Sequence, residues 1–183
     1  MNIHPLRSTL LILALALSAT FCRAADEVKF DKVPSDDFSG YIVPKAFATQ
    51  NLKDQWKDVT EFWTPTADQA KAAAAAIKKA MNGSKDDRNS FFMTADGKDL
   101  KEYFEEQSQP FISDNFDKYA IEFVGVTAGG KKQVLCHYVL VHTKLPDVVN
   151  TYLTGAPDNG ITEWNVRYDL ASKTCVDYED TGT

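Results

Sequence analysis

The sequence predicts an α+β domain in which N-terminal helices pack on a curved antiparallel sheet of about four strands. Three observations lead there. An alanine-rich amphipathic stretch opens at Thr64-Pro65-Thr66. From Phe116 onward the apolar spacing changes to a period of two. The strand-like runs then follow one another around turn residues at Ala128-Gly129-Gly130 and Asp169 to Lys173. Helices first and consecutive antiparallel strands afterwards is the α+β pattern.

Taken in order, residues 1–24 read as a secretory signal peptide. Arg7 supplies its positive region, Leu10 to Ala19 its apolar core, and Cys22-Arg23-Ala24 the small residues of a cleavage site. The apolar run is about half the roughly 20 residues a membrane-spanning helix needs, so no membrane insertion is expected after cleavage. Residues 25–60 form an extended lead-in, rich in aromatics and broken by Pro34 and Pro44, with Tyr41-Ile42-Val43 as a short edge strand. Residues 61–183 form the single α+β domain. Its main helix has Pro65 in the first turn and a capping box from Thr66 to Gln69. It runs to Met81 and stops at Asn82-Gly83. Ala70, Ala73, Ala74, Ile77 and Met81 share one face, which lets the helix backbone approach a sheet closely. Gly83 to Asn89 reads as a polar loop, and a second helix is expected from about Lys98 to Gln107. Tyr119, Ile121 and Phe123 alternate against Ala120, Glu122 and Val124. Gln133 to Thr143 is apolar on both faces and belongs mid-sheet. A long loop, Lys144 to Gly160, leads to a terminal hairpin in which Trp164, Val166 and Tyr168 oppose Glu163, Asn165 and Arg167. Thr174 to Tyr178 is its last strand.

Charge and cysteine content narrow the function classes. The formal net charge is −6, and loss of Arg7 and Arg23 with the leader takes it to −8. Nucleic acid and anionic membranes need a basic patch, so neither is an expected partner. Cleavage removes Cys22 and leaves Cys136 and Cys175. In an oxidising compartment two cysteines suggest one disulfide; the alternative is two small buried thiols on separate strands.

Few residues in the chain carry a pattern suited to catalysis. Of the three histidines, His4 leaves with the leader. His137 and His142 lie five apart on one strand and so face opposite ways. Cys136 and His137 are strand neighbours that also point apart. No nucleophile-elbow, Ser-x-x-Lys or His-Glu-x-x-His motif occurs. Neither a metal site nor a cofactor is expected: Asp96-Gly97-Lys98-Asp99 lacks the downstream spacing of a calcium loop. Glu163 and Asp177 are a weak candidate carboxylate pair across the terminal hairpin. An enzyme is therefore disfavoured. Binding fits better, with Tyr138, Trp164 and Tyr168 lining the concave sheet unless they are its core. Tyr152, Asp158 and Asn159 are the exposed contacts of a loop long enough to be functional.

Phe62-Trp63-Thr64-Pro65-Thr66, then Tyr119 with Phe123-Val124-Gly125-Val126, then Trp164-Asn165-Val166-Arg167-Tyr168-Asp169 occur in an order that resembles a family of small exported bacterial proteins without an assigned activity. Thr162 stands where that pattern often has a cysteine, and Cys175 where it has an aromatic. The resemblance implies export and fold but transfers no catalytic residue. By fold analogy alone, the layout is similar to cystatin-like and nuclear-transport-factor-like rolls. The expectation is a periplasmic or secreted interaction module or inhibitor-like accessory protein that recognises another envelope protein. The alternative is a small-ligand binder with its pocket between helix and sheet.

Overall fold

The computed structural model of the chain describes residues 28–92, 108–141, 153 and 162–180. Among them it is α+β, with four helices and one open, mostly antiparallel sheet of seven strands. The expected leader at 1–24, the expected helix Lys98–Gln107, and Tyr152, Asp158, Asn159 and His142 lie outside the described residues. Among the described residues no helix is long and apolar enough to cross a membrane.

Two ten-residue strands form the middle of the sheet: β4 (Tyr119–Ala128) and β5 (Lys131–Leu140), paired along their whole length. Gly129 and Gly130 join them in a two-residue turn with φ of 55° and 75°, backbone angles that glycine adopts without strain. β6 (Glu163–Asp169) pairs with β5, and β7 (Cys175–Asp180) pairs with β6. Asp169 shapes their turn by accepting hydrogen bonds from the Ala171 and Ser172 N–H groups through Oδ1, both at 2.8 Å.

The far edge of β4 is shared. β2 (Ser39–Ile42) lies parallel along its first half, and β3 (Val59–Trp63) antiparallel along its second. β1 (Asp31–Lys32) then covers β2. Seven strands thus replace the expected four, because residues 31–63 contribute three, the third of them crossing the expected boundary between lead-in and domain. Tyr41-Ile42 is a strand as expected, but an interior one.

α1 (Lys45–Asn51) follows Pro44, whose fixed φ suits a helix start. α2 (Ala67–Met81) begins at the Thr66 cap, where Thr66 and Gln69 exchange side chain-to-backbone hydrogen bonds. The loop expected at Gly83–Asn89 is largely helix α3 (Lys85–Phe91), started by a second capping box between Ser84 and Asp87. α4 (Gln109–Asp114) is tied back to the end of α2 by Gln109 Nε2 donating to the Met81 carbonyl at 2.7 Å.

The sheet has two apolar layers. On one face the buried Ala70, Ala73, Ala74, Ile77 and Met81 of α2 share a core with Tyr119, Ile121, Phe123, Tyr138 and Trp164. The alanine face therefore does what its sequence implies. On the other face Phe30, Tyr41, Leu52, Trp56 and Phe62 cover Val124, Val126 and Leu135. That second layer covers β4 and the adjoining part of β5, and the continuation of the same face across β6 is polar.

Cys136 and Cys175 are both buried, and both are free thiols. The expected disulfide is absent because β6 separates them. Cys136 pairs with Val166, and Cys175 pairs with Tyr168 from the opposite side of that strand. Two strand spacings of roughly 4.8 Å exceed the ~7 Å Cα separation that a disulfide tolerates.

Candidate functional site

Strand alternation places Glu122 of β4, His137 of β5, and Glu163, Asn165 and Arg167 of β6 on one face. Glu122 and His137 are register partners, and so are His137 and Asn165. The result is a carboxylate–imidazole–carboxylate row inside the protein. His137 Nδ1 meets Glu122 Oε2 at 2.9 Å, and Nε2 meets Glu163 Oε1 at 2.8 Å. The Glu122 and His137 side chains are 0% and 1% exposed, whereas Glu163 is 24% exposed and connects the row to solvent. The second oxygen of Glu122 accepts from the Leu153 N–H at 2.9 Å. Leu153 is the described residue of the long loop, and its side chain packs on the second apolar layer.

Burial and charge act against each other in this row. Burial by itself disfavours the His137 imidazolium, but hydrogen bonds and charge from Glu122 and Glu163 outweigh it and raise the His137 pKa above its ordinary value. Burial likewise raises the Glu122 carboxyl, against the lowering pull of His137 and of the Leu153 N–H. The row therefore holds a proton more tightly than its isolated groups would.

A second ionic cluster follows along the same face. Arg167 makes a two-pronged contact with Asp58, donating through Nη1 to Oδ2 and through Nη2 to Oδ1, the latter at 3.1 Å. Its Nε lies 3.5 Å from Asp177 Oδ2. The Arg167 hydrogen bonds hold the Asp58 carboxyl below its usual range. Beside them is an open cavity of about 390 Å³, reached by Lys131 and Gln133. The buried Oε1 of Gln133 and Oδ1 of Asn165 find no hydrogen-bond partner among the described residues.

These positions revise several expectations. Glu163 is not paired with Asp177: its cross-strand neighbour is Val139 and its hydrogen-bond partner is His137, while Asp177 stands opposite Arg167. Tyr138, Trp164 and Tyr168 do not line an open surface. They are 0%, 0% and 5% exposed, and the Tyr138 and Trp164 rings stack at 3.7 Å within the helix–sheet core. Among the described residues, these rings fill the space between α2 and the sheet at that point. Cys136 and His137 do point apart, the thiol into the α2 side and the imidazole into the polar row.

Sequence reading did not single out Glu122. The available signal was its place as the sole charge in Tyr119–Ala128, a strand otherwise uncharged; a lone charge at such a position requires an internal partner. Three acid and imidazole groups together raise the question of a metal. His137 takes one carboxylate on each ring nitrogen, so the three groups do not converge on a common point, and among the described residues no metal-binding group of His, Cys, Asp or Glu is present.

Comparison of the chain with protein-family models, with curated proteins and with solved structures finds no match.

Proposed function

We propose that this chain is an exported protein, periplasmic or secreted, that acts by non-covalent recognition of another envelope protein. In this reading the Lys144–Gly160 segment carries the contact residues Tyr152, Asp158 and Asn159. The observation that carries it is the fastening of Leu153 to the buried Glu122 carboxylate at 2.9 Å. Hydrogen bonds to a charged acceptor are among the stronger ones, contributing about 1.5–3 kcal/mol. A segment held at one point by such a bond loses less conformational freedom when it meets a partner. The same row speaks against catalysis at His137: both ring nitrogens already face carboxylates, which leaves neither for a substrate. The cystatin-like or nuclear-transport-factor-like roll remains the architectural analogy for this reading. It supplies a scaffold and no activity.

The test is affinity capture from envelope extract with the wild-type protein and with a Tyr152→Ala/Asp158→Ala variant of unchanged melting temperature. A partner retained by the wild type and lost by the variant is the expected result. Equal retention by both overturns the loop as the contact surface.

A second reading has its own observation. The cavity beside Arg167 is bordered by Asp58, Lys131, Gln133 and Asp177, and its size lies within the usual range for small-ligand sites. A small polar molecule that offers a donor would occupy it. Native mass spectrometry of protein purified from the exported fraction separates the readings: a bound small mass released on denaturation favours the second.

A further inference from the structure

A groove of about 450 Å³ runs along the outer flank of α2, between that helix and the turn Ser35–Phe38. Its floor is apolar, made by Phe38, Ala74 and Phe116. Its helix rim carries Lys71, Lys78 and Lys79. Asp37 is the one acid among its described lining residues, and it stands across from the helix. In a protein of net charge −6 a local excess of cations is the exception. Lys71 and Lys78 are each half-buried. Lys78 rests its ammonium 5.9 Å from the Phe116 ring centroid. Neither lysine has a carboxylate within ion-pairing distance among the described residues.

We propose that this groove binds an acidic, partly apolar peptide segment of a partner protein in extended conformation. Lys71 and Lys78 are seven residues apart on the helix, about 10 Å at ~1.5 Å per residue. A chain in the polyproline II form of extended backbone advances roughly 3.1 Å per residue and turns once every three residues. Carboxylates three residues apart therefore stand on one side of it and meet both lysines. The residues between them lie over Phe38 and Phe116. A single-headed amphiphile would satisfy one end of such a groove and leave the other cation bare. Long polyanions are disfavoured, because their flanks would run over the acidic remainder of the surface. The proposal uses no residue of the Lys144–Gly160 segment and stands whether or not that segment is a contact surface.

Fluorescence anisotropy with a labelled Ser-Glu-Leu-Phe-Glu-Ser peptide tests the proposal at low salt. Saturable binding is expected, weakened at least tenfold in a Lys71→Glu/Lys78→Glu variant that melts within a few degrees of wild type. Binding should also weaken at least tenfold when both peptide glutamates become glutamine, and it should persist in Tyr152→Ala/Asp158→Ala. Should the double variant melt early, Lys71→Gln alone is used, with a threefold loss expected. Absence of binding at millimolar peptide, binding indifferent to either charge change, or tighter binding of laurate than of peptide at this groove would each overturn the proposal.

Discussion

At His137 the two carboxylates that hold the ring also set the sign of the response to pH. The folded imidazole keeps its proton more tightly than an ordinary histidine of pKa 6.5. Its contribution to stability is therefore full below that value and is lost as pH rises through the raised folded pKa. Glu122, raised by burial from its ordinary 4.5, acts with the same sign over a window that opens lower. Wild-type protein is expected to melt lower at pH 9 than at pH 6. In His137→Asn the dependence above pH 6.5 should flatten, and stability should fall by about 3 kcal/mol because Glu122 is left buried without its partner. Thermal melts of the two proteins across pH 5–9 check this; an unchanged slope in the variant would remove His137 as its source. The row was half legible in the sequence. Alternation set Glu163 with Asn165 and Arg167, and His137 opposite in direction to Cys136, but which carboxylates met the imidazole depended on strand pairing.

At the level of elements, the joint between β3 and β4 depends on one glycine. Gly125 stands opposite Trp63, whose indole N–H donates to the Val126 carbonyl at 2.9 Å. A Cβ at Gly125 would come within 2.3 Å of the Trp63 carbonyl oxygen and 2.4 Å of its ring. Gly125→Ala is expected to cost about 1–3 kcal/mol, the usual range for overpacking, read as a lowered urea midpoint with unchanged slope. A neutral effect would show that β3 is free to shift away. Local signals read α2 well, since the capping box, the alanine face and the Asn82 stop all lie within one stretch of chain. They missed α3 although Ser84 and Asp87 form the same kind of box, because Asp86, Asp87 and Arg88 carry no apolar period. They missed β3 because its five residues, Val59–Trp63, abut the α2 cap and are too few to show a period of their own.

Across the whole molecule, the covering of both sheet faces decides which groups are reachable. Cys136 and Cys175 lie in the α2-side core, and burial pushes both thiols well above their usual range, which keeps them protonated and unreactive. Neither thiol is expected to react with iodoacetamide in the native protein, and both should be alkylated after denaturation without reductant. Intact-mass measurement counts them. A denatured, unreduced protein that takes up no label would instead reveal a disulfide.

Local periodicity and capping chemistry were sufficient for the α+β class, the α2 boundaries, both terminal hairpins and the face on which each strand residue stands. These depend on interactions a few residues long, and such interactions are written into the chain directly. Long-range pairing decided the rest. It made residues 31–63 three strands of the sheet, turned Tyr138, Trp164 and Tyr168 into core, and set β6 between the two cysteines. It also brought Glu122 and Glu163 to opposite sides of His137, across 41 residues of sequence. Contacts of that span follow from strand order and register, which no local pattern specifies.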